Sequence, residues 1–196
     1  MQFPSRIAAR MLLCCAVAAA PAFAFAQQSA PAKPAVGTPQ NPSAVYGKLL
    51  GIIENEFVPA AEAMPEDKFN FSPSPTQGDF KGVRTFGDQV KHVTEANYYF
   101  FGSGKMTDAE MKAGRDAIEK LTTKAEIIEA LKKSLAQAHT FVDGITPENA
   151  YVTTANGTRA GMAAFGIAHM MDHYGQMVVY LRMNGIVPPA SRGNGM

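Results

Sequence analysis

The sequence predicts an all-α chain, a four-helix bundle with a short extra helix between its second and third long helices. Three observations lead there. Apolar residues recur at three- and four-residue spacing in four separate stretches, no run alternates with period two, and no internal repeat divides the chain. At 196 residues the chain is long enough for one domain with a sizeable core plus tails.

The first long helix opens near Ser43, which is placed to cap it, and carries Val45, Leu49, Ile52, Ile53 and Phe57 on one side. Pro59 kinks or ends it before Pro65. Residues 64–82, rich in Pro and Gly, read as a loop that Phe69, Phe71 and Phe80 can pin to the bundle. The second helix is expected over 83–101, with Phe86, Val90, Val93 and Asn97 on one seam and Gly102 as its stop. Thr107-x-x-Glu110 is a capping box that opens a short polar helix through Leu121, expected on the surface. A second box, Thr123-x-x-Glu126, starts the third long helix, whose Ile127, Ile128, Leu131, Leu135 and Val142 form a stripe ending at Gly144. Asn156-Gly157 marks a turn, Thr158 caps the last helix, and Asn184-Gly185 with Pro188 and Pro189 ends it.

Upstream of the bundle, residues 1–26 have the pattern of a cleavable signal peptide. Arg6 and Arg10 precede an apolar run from Met11 to Ala20, and Ala24-Phe25-Ala26 supplies the small-x-small cleavage site. The run is too short to span a bilayer and Pro21 breaks it, so cleavage after Ala26 and a secreted or periplasmic product are expected. Cys14 and Cys15 leave with that peptide, so no disulfide, thiolate nucleophile or Cys-bound metal is expected afterwards. Residues 27–43 read as a flexible Pro/Ala-rich leader, 44–190 as the folded domain, and 191–196 as a disordered tail.

Charge excludes one large class of partner. Lys+Arg number 18 against 17 Asp+Glu; without Arg6 and Arg10 that becomes 16 against 17. There is no basic excess or stripe, so no nucleic-acid partner is expected, and no second apolar run is long enough to span a membrane. A small molecule of unknown identity is the expected ligand.

The chain has four histidines: His92, His139, His169 and His173. On a helix, His169 and His173 differ by about 40° and stand about 6 Å apart along the axis, so both rings can address one ion. They fall in the row Met162, Phe165, His169, His173, Gln176 and Tyr180, expected to face inward. Two imidazoles on a buried row need partners, which either a metal or ordinary core hydrogen bonds would supply. The zinc-peptidase motif is excluded, because Met170 stands where its general-base Glu belongs. A third ligand must come from another helix, and His92, beside Val93 on the second, is the natural donor.

Gln176, one turn beyond His173, could position a ligand or simply bond at the edge of the core. Asp172 and Glu95 each lie three residues from one of these histidines and are either supporting groups or solvated charges. Tyr98, Tyr99 and Tyr180 read as pocket lining or packing, and His139 as a partly exposed or capping ring. The methionines around the pair read as core filling rather than copper ligands.

Taken together, FGDQVKHVTEANYYFFG, the His-x-x-x-His pair with Tyr174-Gly175-Gln176 and YLRMNGIVPP after it, and the Pro- and Phe-rich loop AAEAMPEDKFNFSPSP resemble the DinB family of four-helix-bundle metalloproteins. The resemblance covers residues 44–190. It implies that His92, His169 and His173 bind one divalent ion, zinc or nickel, with water completing the shell, and that a homodimer is possible. Three neutral imidazoles leave a coordination position open, the layout of catalytic zinc, and their affinity for metal should weaken as pH falls through the histidine range. A metal-dependent enzyme is the expected function, with hydrolysis preferred. A non-catalytic metal- or ligand-binding bundle and a thiol-dependent transferase, as in some relatives, are the alternatives. Export argues against the transferase, since low-molecular-weight thiols abound in the cytoplasm.

Overall fold

The computed structural model describes residues 33–102 and 107–193. The expected signal peptide, residues 1–26, lies outside the described residues, as do residues 27–32 of the expected leader. The chain divides into two units, residues 1–38 and 39–196. Of the first, the described part contains a turn closed by the Thr38 N–H on the Ala35 carbonyl at 3.1 Å.

The second unit holds α1 (Pro42–Ala63), α2 (Phe86–Phe101), α3 (Asp108–Glu119), α4 (Lys124–Asp143) and α5 (Arg159–Met183). Helix α1 packs against α4 and α5, and α2 packs against the same two, so four long helices enclose one core. The extra helix α3 touches α2 and buries only Ile118. Both capping boxes form: Thr107 with Glu110 opens α3, and Thr123 with Glu126 opens α4. The α4 stripe Ile127, Ile128, Leu131, Leu135 and Val142 is buried, as is the α2 seam.

Several boundaries differ from expectation. Asn41, not Ser43, caps α1, accepting from the Ser43 N–H at 3.1 Å, because Pro42 at the first helical position fixes φ for the helix and needs no partner. Helix α1 therefore begins at Pro42, inside the stretch 27–43 expected as leader. Helix α1 also runs four residues past Pro59. Helix α2 begins at Phe86 rather than Val83, since Thr85 caps it and the loop carbonyls of Phe71 and Phe69 take the N–H groups of Phe86 and Gly87. That contact, with Phe69 edge-on to Phe86 and Phe71 edge-on to Tyr180, is how the Pro-rich loop is pinned. A two-residue hairpin, Thr153–Thr154 with Gly157–Thr158, precedes α5; pairing this short leaves no period-two signature to read. Of the tail expected to be disordered, Ser191 ends a 3₁₀ turn and accepts from Arg182 Nη2 at 3.3 Å, while Arg192 Nε donates to the Val187 carbonyl at 2.9 Å. Residues 194–196 lie outside the described residues.

Candidate metal centre

Helix α2 presents His92 one position before buried Val93, and α5 presents His169 and His173 one turn apart on the side facing α2. The three rings meet. Their ligand nitrogens all lie within 4.8 Å of one another, and His169 Nε2 stands 3.2 Å from both His92 Nε2 and His173 Nε2. Three nitrogens bound tetrahedrally to one ion at about 2.0–2.1 Å would be separated by about 3.3 Å, which the two 3.2 Å separations match, while the third pair lies within 4.8 Å.

The row on α5 is less buried than expected, and this opens the site. His173 and Tyr180 are buried, but Phe165 is 63% exposed and Gln176 is also exposed. The row runs along the rim of the core rather than through it. His169 and His92 are half-buried, and beside His92 a polar cleft opens, lined by Arg84, Asp88, Lys91, Glu95 and Glu119.

A residue missed in the sequence fixes the orientation of His173. Gln89, one turn before His92 and buried, accepts from His173 Nδ1 through its Oε1. Its Nε2 donates to Gln176 Oε1 at 2.9 Å, and Gln176 Nε2 donates to Asp172 Oδ2 at 3.2 Å. Each glutamine donates through Nε2 and accepts through Oε1, so the chain runs in one direction, from His173 Nδ1 to Asp172 Oδ2. The result is a proton on His173 Nδ1 and a lone pair on Nε2 pointing at the other two rings, the arrangement expected behind a metal-ligating histidine. Gln89 was missed because an isolated glutamine beside apolar Val90 carries no spacing signal. We expect Gln89→Leu to weaken zinc binding by about 10- to 100-fold while the fold is kept, measured by competitive titration against a chelating dye. Unchanged affinity would remove the orienting role.

The rings are unsatisfied by protein alone. His173 Nε2 carries a lone pair, and His169 Nε2 faces it and His92 Nε2 together, so these atoms cannot all be paired with one another. His169 Nδ1 is buried, without a hydrogen-bond partner, in a ring that lies against Phe100 with centroids 5.4 Å apart. A cation would satisfy the three facing nitrogens, and the donor set therefore fits a divalent ion, while the buried Nδ1 of His169 keeps no partner either way.

Burial holds the rings neutral. Desolvation, then the charge of Arg84 and the neighbouring His169, lowers the pKa of His92 from 6.5 to about 4. Desolvation, then His169 and His92, lowers His173 to about 4 as well, against a smaller opposing pull from Asp172. His169 is lowered chiefly by desolvation. Proton competition with a metal should therefore set in nearer pH 4 than through the ordinary histidine range expected from sequence. In the metal-free protein the unfolded chain takes up protons below about pH 6.5 that the folded rings refuse, so stability present above that pH is lost as pH falls toward 4. We expect the melting temperature of metal-free protein to drop by about 5 °C or more between pH 7 and 5, read by scanning calorimetry. A flat profile would contradict neutral, desolvated rings.

The other sequence candidates separate. Asp172 and Gln176 join the chain behind His173. Glu95 is on the cleft wall, half-buried, its pKa raised by burial and by Glu119 against the pull of Arg115, Arg84 and Lys91. His139 lies apart from the centre and pairs through Nε2 with Glu54 of α1. Tyr180 donates its hydroxyl to the Arg84 carbonyl at 3.2 Å. Tyr98 lines an apolar trough beside α3, and Tyr99 a separate small cavity with Phe100 and Arg159. Met170 and Met177 are fully buried core residues, whereas Met171, also expected as core filling, is 40% exposed.

No curated protein matches the chain. A family model described as the DinB superfamily matches residues 50–177, a span that opens inside α1 and closes four residues past His173, so it takes in all three histidines and the glutamine behind them. With the bundle, the two contributing helices and that match in agreement, the chain belongs to the DinB superfamily.

Proposed function

We propose that His92, His169 and His173 hold one divalent cation, zinc or nickel, through their Nε2 atoms, and that the chain is a metal-dependent enzyme with hydrolysis as its preferred chemistry. The observation that carries this reading is the convergence of three neutral imidazoles at the rim of the core with a polar cleft beside them. A fully enclosed ion would suit a structural role; an accessible one suits catalysis. When bound, such an ion supplies Lewis-acid polarisation of a substrate oxygen and lowers the pKa of water. The protein's own part is orientation and proton handling. Gln89 holds the Nδ1 proton of His173 in place, burial keeps the three rings unprotonated at neutral pH, and Glu95 offers a carboxylate of raised pKa on the cleft wall to take or return a proton.

The test is a panel of ester, amide and phosphate substrates, run on metal-free protein and on protein reloaded with zinc or nickel. Turnover that appears only with metal supports the reading. Stoichiometric metal binding with no turnover on any class would leave the non-catalytic binding role.

The same proposal places the chain outside the cytoplasm after cleavage at Ala26, on the strength of Arg6, Arg10, the apolar run and Ala24-Phe25-Ala26. No helix among the described residues is long and apolar enough to cross a membrane. The mass of the exported protein tests this, and an intact amino terminus would defeat it.

A further inference from the structure

Of the two cationic side chains on the cleft beside His92, one is engaged and the other is not, and the carboxylates of Glu95 and Glu119 on the same walls likewise make no hydrogen bond or ion pair among the described residues. Lys91 is engaged: its Nζ donates to the Glu119 carbonyl at the end of α3, at 3.1 Å. Asp88 is engaged at the opening of α2, where its Oδ2 accepts from Thr85 Oγ1 at 2.7 Å. Arg84 is different. Its backbone carbonyl is clamped by the hydroxyl of buried Tyr180, which fixes where the side chain starts. Its guanidinium, exposed on the cleft wall, makes no hydrogen bond or ion pair among the described residues. Yet it lines the same cleft as His92, the ligand that α2 contributes.

A guanidinium that shares a cleft with His92 is unfavourable for a lone cation in the centre and favourable for a cation accompanied by an anion. Arginine's planar fork suits a carboxylate or phosphate group, which it can meet with two parallel hydrogen bonds. We propose that Arg84 is the anion-recognition residue of this centre, and that its substrate carries a carboxylate- or phosphate-type oxyanion bound in the cleft between the guanidinium and the ion held by the three histidines.

This inference rests on the metal reading above. It also has an internal electrostatic requirement. Asp88, Glu95 and Glu119 outnumber Arg84 and Lys91, so the cleft repels anions until a divalent ion reverses the balance. Anion binding should accordingly depend on metal.

Cobalt(II) is the probe metal, because its visible spectrum reports loading and changes when a new ligand arrives. Wild type, Arg84→Gln and Arg115→Gln are titrated first with cobalt and then, once loaded, with inorganic phosphate and with benzoate. Arg115 lies on α3 near Glu95 and provides the same change in net charge away from the histidines. Arg84→Gln should bind cobalt as tightly as wild type or several-fold tighter, since a repelling charge is gone. Its affinity for the anion should fall about tenfold or more. A merely structural role for Arg84 would weaken both. Loss confined to benzoate assigns a carboxylate, and loss confined to phosphate assigns a phosphate. Failure of wild type to bind cobalt would sink the metal reading itself. Cobalt binding with equal anion affinity in wild type and Arg84→Gln, an equal loss in Arg115→Gln, or equally tight anion binding without metal would overturn the Arg84 proposal alone.

Discussion

His169→Ala is expected to reduce zinc affinity by well over about 100-fold, beyond the usual effect of changing a group behind the ligands. His169 Nε2 is the atom that stands 3.2 Å from both other ring nitrogens, so its loss leaves two imidazoles with nothing between them. The fold should tolerate the change. The lost ring has a buried Nδ1 without a partner, so the packing forfeited against Phe100 is offset by removal of an unsatisfied polar atom. Alanine is also the strongest helix former, here in the middle of α5. Calorimetric titration with zinc and thermal melts with and without metal separate the two effects. Wild type should gain about 2.7 kcal/mol of stability at metal 100-fold above its dissociation constant, and the variant should gain almost none. A variant that binds zinc like wild type would reduce the three histidines to core polar residues.

Gly166→Val should cost about 2–3 kcal/mol and lower the melting temperature by about 5–10 °C. A Cβ at this position would stand 2.6 Å from Phe101 Cζ and 2.8 Å from its Cε2, closer than packed atoms can approach. Phe101 cannot easily retreat, being fully buried and edge-on to Phe141 at 5.8 Å. The strain must therefore push α5 away from α2. Those are the two helices that bring His169 and His173 to His92, so metal affinity should fall along with stability even though no ligand is altered. Gly175→Ala on the same helix is the control: nothing lies within 4 Å of its Cβ, and helix propensity alone predicts a gain of up to about 1 kcal/mol. Urea denaturation of both variants decides, and a Gly166→Val protein as stable as the control would mean that the helices are not in close contact there.

Much of the bundle was legible because its signals are local. Both Thr-x-x-Glu boxes and the α4 stripe depend on residues three or four apart, and all of them form as the spacing predicts. Errors gathered where a distant or competing group decides the outcome. Val83 looked helical until the carbonyls of Phe69 and Phe71 took the first N–H groups of α2. Ser43 looked like a cap, but Asn41 and Pro42 act two residues earlier. The spacing of the row containing the histidine pair predicts an inward face, whereas Phe165 and Gln176 face solvent, because the azimuth at which a buried face ends is set by neighbouring helices.

By itself, the sequence determined which helices form and that a His-x-x-x-His pair would share one face of the last, since both follow from the 3.6-residue period of a single helix. It also pointed to His92 as a third partner. The distances between those rings, the amide chain from Asp172 through Gln176 and Gln89 to His173, and the unpaired charge of Arg84 were decided only by tertiary structure. Hydrogen bonds between α2 and α5 join residues more than 80 positions apart, and no local period encodes which side chains meet across that gap.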